Sequence, residues 1–286
     1  MNYVIVTPVR DEQDFIQHTL DSVVAQTIRP IRWVILDDGS VDDTAQIVQK
    51  YADKYPWISL VGLLDRGYRK PGEGVAKVFL AGLERAGNDY DFIVKLDGDL
   101  SFAPDYFERL FQQFDKSPRL GIAGGGCYSL RGGRWVLERV PDDHVRGASK
   151  VYRRQCFEDI GGVESVNGWD TIDELKAQMA GWRTRSFNEL QVRHHRSTFS
   201  ALGSFQGWKK PGQFAYFLGY HPVYMLARCV RHMKEPPIGL RGVAMFWGYL
   251  QSWLEKAPVY GEEEVVAYLR RKQLMRLFRV PQRWLD

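Results

Sequence analysis

The chain has few cysteines, no long apolar run and only a small excess of positive charge. Its three cysteines are odd in number and form no Cys-x-x-Cys pattern, which argues against a disulfide framework and a zinc site and favours a reducing compartment. No apolar run reaches the roughly 18 residues that a membrane-spanning helix needs. A net charge of +4 is too small to indicate nucleic-acid binding, so no nucleic-acid partner is expected.

The N-terminal residues also lack a basic segment followed by an apolar one. They enter a β-rich run at residue 3, so we expect no signal peptide and predict a cytoplasmic protein. The composition, with 44% hydrophobic and 26% charged residues, is ordinary for a folded chain that has one large or two small cores.

Short β-rich runs alternate with segments of helical period in the first part of the chain. The runs are residues 3–7, 32–36, 58–63 and 92–96. Strands that alternate with helices favour a mostly parallel sheet with helices on both faces. We therefore predict an α/β domain over residues 1–200, followed by a helical, aromatic and basic extension over residues 201–286.

Two later segments carry local predictions. Three glycines, at 124–126, follow a strand predicted at 120–123 and are expected to form a turn that exposes the backbone. A helix is predicted over residues 170–180, because apolar residues recur there on one stripe that includes Met179. Its acidic residues fall on the opposite face, and the simplest interpretation is that this face is solvated: Asp170, Asp173 and Glu174.

Two pairs of carboxylates follow two of the predicted strands. Asp97 and Asp99 come after residues 92–96, and Asp37 and Asp38 end the run that precedes Gly39. In an open α/β sheet the carboxyl ends of the strands are where ligands bind, and carboxylate oxygens suit Mg²⁺ or Mn²⁺ bridging the phosphates of a nucleotide. Surface turns, including an Asx turn formed by Asp38, remain the alternative.

The order of these motifs resembles a known family. The motifs are Thr7-Pro8-Val-Arg10-Asp-Glu12, Asp37-Asp-Gly-Ser40, Asp97-Gly-Asp99, and Gly161-Gly162 before the acidic helix. Over about residues 1–200 the chain resembles a family 2 glycosyltransferase, which implies a GT-A-type, Rossmann-like fold. The resemblance also implies transfer of a sugar from a nucleotide diphosphate sugar with inversion at the anomeric carbon.

The resemblance assigns residues to the nucleotide and to a metal ion. Those that would line the nucleotide cleft are Thr7, Pro8, Arg10, Glu12, Asp37, Asp38 and Asp97. Asp97 and Asp99 would hold Mg²⁺ or Mn²⁺, together with a histidine from a later strand, either His194 or His195. Glu12 could equally be an acid in the first turn of a helix, where the helix dipole stabilises it.

An acceptor hydroxyl must lose its proton as it attacks, so the site needs a carboxylate or imidazole as base. The family usually has an acidic pair about eleven residues before a glycine, and Trp169-Asp170 stands that far ahead of Gly181. Asp170 is therefore the predicted base. Asp173 stays open as a competitor because Trp169 departs from the family pattern.

The predicted function is the metal-dependent, inverting transfer of one sugar to a saccharide or lipid-linked acceptor in cell-surface polysaccharide or glycolipid synthesis. Processive members carry Gln-x-x-Arg-Trp and several membrane spans, whereas Gln282-Arg283-Trp284 lacks that spacing, so a single addition is favoured. Transfer to a polyprenyl phosphate and a non-catalytic nucleotide-sugar-binding protein are the alternatives. A nucleotidyltransferase is disfavoured, because the loop after the first strand has no glycine.

The C-terminal third has two apolar stretches, residues 214–227 and 243–254, each too short to span a bilayer. They are predicted to be core helices or helices that lie at a membrane surface, and sequence leaves both open. Basic residues at 228–234 lie beside Met225 and Leu226. This pattern favours peripheral contact with the inner face of a membrane.

Overall fold

The computed structural model describes residues 1–65, 67–68, 72–196, 205–234 and 238–278. The chain forms two compact units, Met1–Ser197 and Thr198–Asp286. The predicted domain boundary at residue 200 lies outside the described residues and stays a prediction, as does the role given to residues 282–284.

Within the described part of the first unit, nine strands form one sheet. They are β1 (Tyr3–Val9), β2 (Arg32–Asp37), β3 (Ile58–Gly62), β4 (Phe92–Leu96), β5 (Leu100–Phe102), β6 (Leu120–Arg131), β7 (Arg134–Leu137), β8 (Ser149–Arg153) and β9 (Arg183–His194). The order is β3-β2-β1-β4-β8-β6-β9-β5, with β7 paired to β6. β1 to β4 pair with one another in parallel. The antiparallel pairs are β4 with β8, β5 with β9, β6 with β7 and β6 with β8.

Helices cover both faces of this sheet. They are α1 (Ile16–Val24), α2 (Thr44–Lys54), α3 (Glu73–Leu83), α4 (Tyr106–Lys116), α5 (Arg154–Asp159) and α6 (Trp169–Met179). Alternation along β1 divides the core, since Ile5 packs in one hydrophobic cluster and Val4 and Val6 pack in the other. Burial of both faces is what parallel strands require. The predicted α/β fold is confirmed.

The turn predicted at residues 124–126 is wrong, because these glycines lie inside β6. A Cβ atom on Gly125 would overlap the carbonyl oxygen of Leu190, and one on Gly124 would overlap that of Ser149. The strand pairing also shifts register between Gly125 and Gly126. The glycines are therefore needed for close backbone approach to β9 and β8, and not for a bend.

We expect Gly125→Ala to lower the free energy of unfolding by about 1–3 kcal/mol, because the new methyl group must push the Leu190 carbonyl away. Gly62→Ala is the matched control, since Gly62 ends β3 with open space around its Cα. Its effect should stay within about 0.5 kcal/mol. Urea denaturation of both variants checks this, and equal effects at the two positions would contradict the packing argument.

The second unit is helical, as predicted. Its described helices are α7 (Phe205–Phe217), α8 (Pro222–His232), α9 (Leu240–Leu254) and α10 (Glu263–Leu277). Helices α7 and α9 approach closely, because Cβ atoms on Gly212 and Gly248 would overlap backbone oxygens of the facing helix. Among the described residues, no helix has both the length and the apolar character needed to cross a bilayer.

Candidate active site at the carboxyl edge of the sheet

The predicted acidic motifs meet at one edge of the sheet. In the parallel pairing of β1 with its neighbours, Val9 lies opposite Asp37 and Val6 lies opposite Lys95. The carboxyl ends of β1, β2 and β4 therefore lie side by side, and Asp97 follows the last of them. This is the edge at which open α/β sheets bind ligands.

The loops after β1 and β2 are tied together by hydrogen bonds. Arg10 donates to the backbone oxygen of Asp38 and, at 2.8 Å, to Oδ1 of Asp65. Oδ1 of Asp37 accepts hydrogen bonds from the backbone and the hydroxyl of Ser40. The Asp37 side chain therefore closes the loop that contains Asp38 and Gly39, and the Asx turn considered for Asp38 stays untested. A bond to the Gly67 backbone and the Arg10 guanidinium lower the pKa of Asp65.

Two of the side chains predicted to line the nucleotide cleft are enclosed by protein. The Thr7 hydroxyl is fully buried and accepts a hydrogen bond from the Trp33 indole at 2.9 Å. The Glu12 carboxylate is buried and lies 2.6 Å from the Arg196 guanidinium. Pro8 is half-buried. Thr7 is 0% exposed as a whole residue, so neither its side chain nor its backbone is open to a nucleotide in this structure.

Asp99 lies beside His194, because β5 pairs with β9 so that Leu100 is opposite His194. His194 Nε2 is 3.0 Å from Asp99 Oδ2, and Arg196 Nε is 3.7 Å from the same oxygen. Burial opposes ionisation of Asp99, but the bond to His194 and the nearby cations outweigh it and lower its pKa. Asp99 Oδ1 and His194 Nδ1 are buried without a hydrogen-bond partner among the described residues.

The neighbouring His195 faces elsewhere. Its Nε2 lies 2.8 Å from the Ser101 hydroxyl, and its ring stacks on His18 with the ring centroids 4.1 Å apart. Burial and the nearby His18 lower the pKa of His195 to about 4. His195 follows the last residue of β9 and contacts Ser101 and His18, whereas the His194 ring contacts Asp99. His194 is thus the histidine that lies beside Asp99.

The divalent cation that the motifs imply would need oxygen or nitrogen donors that are free to bind it. In the part of the chain that the structure describes, no three His, Cys, Asp or Glu side chains are grouped as a metal site. Asp99 and His194 are nevertheless adjacent, and each keeps one unpartnered buried atom. Asp97, two residues away, has a half-buried carboxylate. Oxygen and imidazole donors of this kind suit Mn²⁺ or Mg²⁺, so the residues fit such an ion.

Lys95 lies between Asp97 and the backbone segment beside the predicted base, Asp170, and it was not among the predicted site residues. Its buried ammonium contacts the Asp97 carboxylate and donates to the backbone oxygen of Gly147 at 2.6 Å. It also lies 5.4 Å from the centre of the Trp169 ring. A Cβ atom on Gly147 would lie 3.1 Å from Oδ2 of Asp170. Asp170 therefore lies beside Gly147, to which Asp97 is linked through Lys95. The sequence signal for Lys95 was a charged residue inside an apolar strand.

The solvated face predicted for helix α6 is wrong for two of its acids. Asp173 and Glu174 are 1% and 4% exposed, whereas Met179 of the predicted apolar stripe is 38% exposed. The fully buried Lys150 lies 3.0 Å from Asp173 and 2.9 Å from Glu174. Lys150 also donates to the backbone oxygen of Asp170 at 2.6 Å.

The buried ionic cluster formed by Lys150, Asp173 and Glu174 distinguishes the two candidate bases, since Asp173 belongs to it and the Asp170 side chain does not. Burial and the neighbouring Glu174 raise the pKa of Asp173 to about 6, although Lys150 acts against them. The Tyr152 hydroxyl also donates a hydrogen bond to Asp173. Asp173 is thus enclosed and fully engaged with protein groups, while the side chain of Asp170 is partly exposed beside Gly147.

Comparisons with known proteins agree with this geometry. The chain is 29% identical over 202 residues to the poly-β-1,6-N-acetyl-D-glucosamine synthase of Staphylococcus aureus strain MSSA476, a match that covers 67% of the chain and 46% of that protein. The chain thus spans about half the length of the curated relatives it matches.

Two solved structures share the fold at low sequence identity. The mannosyltransferase PcManGT of Pyrobaculum calidifontis, in complex with GDP-Man and Mn²⁺, has a TM-score of 0.58 at 18% identity, covering 99% of this chain and 83% of that one. Residues 1–349 of TarS from S. aureus give 0.54 at 15% identity, covering 90% and 73%. The model of the family described as glycosyl transferase family 2 matches residues 4–160, more than half of the sequence. With its GT-A-type sheet, the chain belongs to glycosyl transferase family 2.

Proposed function

We propose that the protein is a metal-dependent, inverting glycosyltransferase that moves one sugar from a nucleotide diphosphate sugar to a saccharide or lipid-linked acceptor. The observation that carries this proposal is the meeting of Asp97 and Asp170 at the Lys95–Gly147 contact, beside the Asp99–His194 pair. Structural neighbours bound to GDP-Man with Mn²⁺, or to UDP-GlcNAc, support a donor of this class.

The donor nucleotide would lie against the loops after β1 and β2. Asp37 and Asp38 carry acceptors for a ribose hydroxyl or a base N–H. Arg10 holds the two loops together through Asp38 and Asp65, so it would shape the nucleotide pocket. Glu12 would act through its ion pair with Arg196.

A divalent ion would be held by Asp97, Asp99 and His194, and its positive charge would stabilise the departing diphosphate. Lys95 contacts the Asp97 carboxylate and Arg196 lies 3.7 Å from the Asp99 carboxylate, so these two cations help to hold the carboxylates in place. His195 would support the site through its bond to Ser101 instead of acting as a ligand.

Asp170 would act as the base. Its carboxylate takes the proton of the acceptor hydroxyl while that oxygen attacks the anomeric carbon, and the bond to the diphosphate oxygen breaks with its electron pair. Attack from the face opposite the leaving group inverts the anomeric carbon. Asp173 lies in the buried ionic cluster, so it would act only by fixing the start of helix α6.

The acceptor of the sugar and the location of the protein in the cell are also proposals. A single addition in cell-surface polysaccharide or glycolipid synthesis is favoured, in a cytoplasmic protein that contacts the inner face of the membrane. A polyprenyl phosphate acceptor is the second candidate. It would be already anionic and would need little help from Asp170.

The test is release of nucleoside diphosphate from UDP-GlcNAc, UDP-glucose and GDP-mannose, measured with Mn²⁺, with Mg²⁺ and with EDTA. Release that needs the metal and rises when β-1,6-linked glucosamine oligosaccharides or a polyprenyl phosphate are added would support the proposal. Calorimetry that detects donor binding without any release or transfer would favour a non-catalytic nucleotide-sugar-binding protein.

A further inference from the structure

Helix α8 exposes an apolar stripe although its opposite face packs in a core. Val223, Leu226 and Val230 recur at helical spacing and are 53%, 54% and 51% exposed. Met225 and Cys229, which alternate with them, are almost fully buried and join the core of this unit. Of the two apolar residues expected from the sequence to contact a membrane, Met225 is buried, so the prediction is wrong for it, whereas Leu226 is exposed.

Helix α9 has a second exposed stripe. Leu240, Val243 and Trp247 follow the same spacing and are 43%, 50% and 47% exposed. The other face of α9 is occupied, because Gly242 approaches Cys229 and Gly248 approaches Lys209 through their backbones. The stripe is thus an outer face of the helix and not an unfilled part of the core.

The two stripes lie on touching helices. A Cβ atom on Gly242 would overlap the carbonyl oxygen of Cys229, so the two helices touch at these residues. Val230 and Val243 are the next residues along α8 and α9. We call the set Val223, Leu226, Val230, Leu240, Val243 and Trp247 the apolar surface. Scattered single apolar residues are ordinary on a protein, whereas exposed stripes at helical spacing on two touching helices indicate an interaction site.

The segment that carries the apolar surface is mostly positive in charge. Residues 205–254 contain six lysines and arginines against one acidic residue, Glu235. Arg231 and Lys234 are exposed at the end of α8, and Arg241 lies in the first turn of α9. Acids return only after α9, beginning with Glu255. Exposed apolar stripes on a segment in which cations outnumber acids six to one match an anionic lipid surface.

We infer that the apolar surface docks the protein on a bilayer that contains anionic lipid, with α8 and α9 lying in the headgroup region. The 15 residues of α9 span about 22 Å, less than the roughly 30 Å of a hydrocarbon core, which favours lying along the interface over crossing it. The inference does not depend on the transferase reaction, because binding is measured without a donor.

The experiment is flotation of the full chain with vesicles of phosphatidylcholine alone, or of phosphatidylcholine with phosphatidylglycerol, at low and high salt. We expect wild-type protein on the anionic vesicles at low salt, and at least a tenfold weaker apparent affinity both for neutral vesicles and at high salt. Leu226→Gln combined with Trp247→Gln should lower affinity for the anionic vesicles at least tenfold. The matched control is Leu130→Gln, which removes a 51% exposed leucine from the first unit and should leave binding unchanged.

Three results would overturn the inference. They are absence of wild-type flotation with anionic vesicles, equal flotation with neutral ones, and loss of binding in the Leu130→Gln control. Light scattering tests whether the apolar surface instead binds a second copy of the chain. A wild-type dimer that is absent in the double variant would assign the surface to that second copy. Donor turnover without vesicles, measured for wild type and the double variant, separates this inference from the proposed reaction and reports on folding.

Discussion

Replacing Asp170 by asparagine is expected to lower the rate of sugar transfer to a hydroxyl acceptor about 10²- to 10⁴-fold. Asparagine keeps the size of the side chain but cannot take a proton. The start of helix α6 should stay in place, because Lys150 binds the backbone oxygen of residue 170 and not its carboxylate. Donor binding should therefore change little, and the loss should appear in kcat more than in KM.

Asp173→Asn is the matched control, since the same change is made three residues along the same helix. It alters the buried ionic cluster, so it should reduce stability while a folded sample keeps most of its kcat. Steady-state kinetics, thermal unfolding and donor calorimetry on the two variants check these outcomes.

Full turnover of Asp170→Asn with a hydroxyl acceptor would remove Asp170 as the base. Turnover retained only with a polyprenyl phosphate would instead identify an anionic acceptor. A control that loses turnover while it stays folded would move the base to Asp173.

The largest effect on stability is expected from Lys150→Met, which should lower the free energy of unfolding by about 3–5 kcal/mol. Lys150 is fully buried and contacts both Asp173 and Glu174. Methionine preserves most of the volume but leaves the buried Asp173 carboxylate without its cation, while Glu174 keeps its contact with His144. An isolated buried charge costs far more than an exposed one.

The loss should depend on pH. Burial and Glu174 already raise the pKa of Asp173 to about 6 in the wild type, and removal of the ammonium would raise it further. A carboxyl with a raised folded-state pKa favours the folded state at low pH, and that contribution is lost as the pH rises through this pKa. The variant should therefore be closer to the wild type at about pH 5 than at about pH 8.

Lys77→Met is the matched control, since Lys77 forms an exposed i,i+4 pair with Glu73. Removal of such a pair costs about 0.5 kcal/mol or less. Urea denaturation at both pH values would contradict the argument if the two lysine variants were equally stable, or if the Lys150 variant did not gain stability on acidification.

Much of this protein could be read from local pattern. The strands that carry Asp37 and Asp97 are apolar, β-branched runs, and their periodicity predicted both the α/β fold and the placement of these acids at one sheet edge. The motif order around them led to the family that the comparisons show. Both inferences use information within a few residues of each position, and a sequence supplies that directly.

The tertiary structure decided what depends on distant partners. His194 and not His195 faces Asp99 because β5 pairs with β9 in one register, and alternation alone could not say which side faces the site. Lys150 and Tyr152, both on β8, turn an acidic helix face into a buried cluster, which separates Asp170 from Asp173.

By itself, the sequence determined strands β1 to β4, most helices and the chemical types at the sheet edge, because short-range periodicity and motif spacing encode them. Only the folded chain decided which groups meet: Lys95 with Asp97 and Gly147, and Gly125 with the backbone of β9. The contacts of Lys95 with Gly147 and of Gly125 with Leu190 join residues more than fifty positions apart. Their burial and charge therefore depend on strand register and packing, which local pattern does not contain.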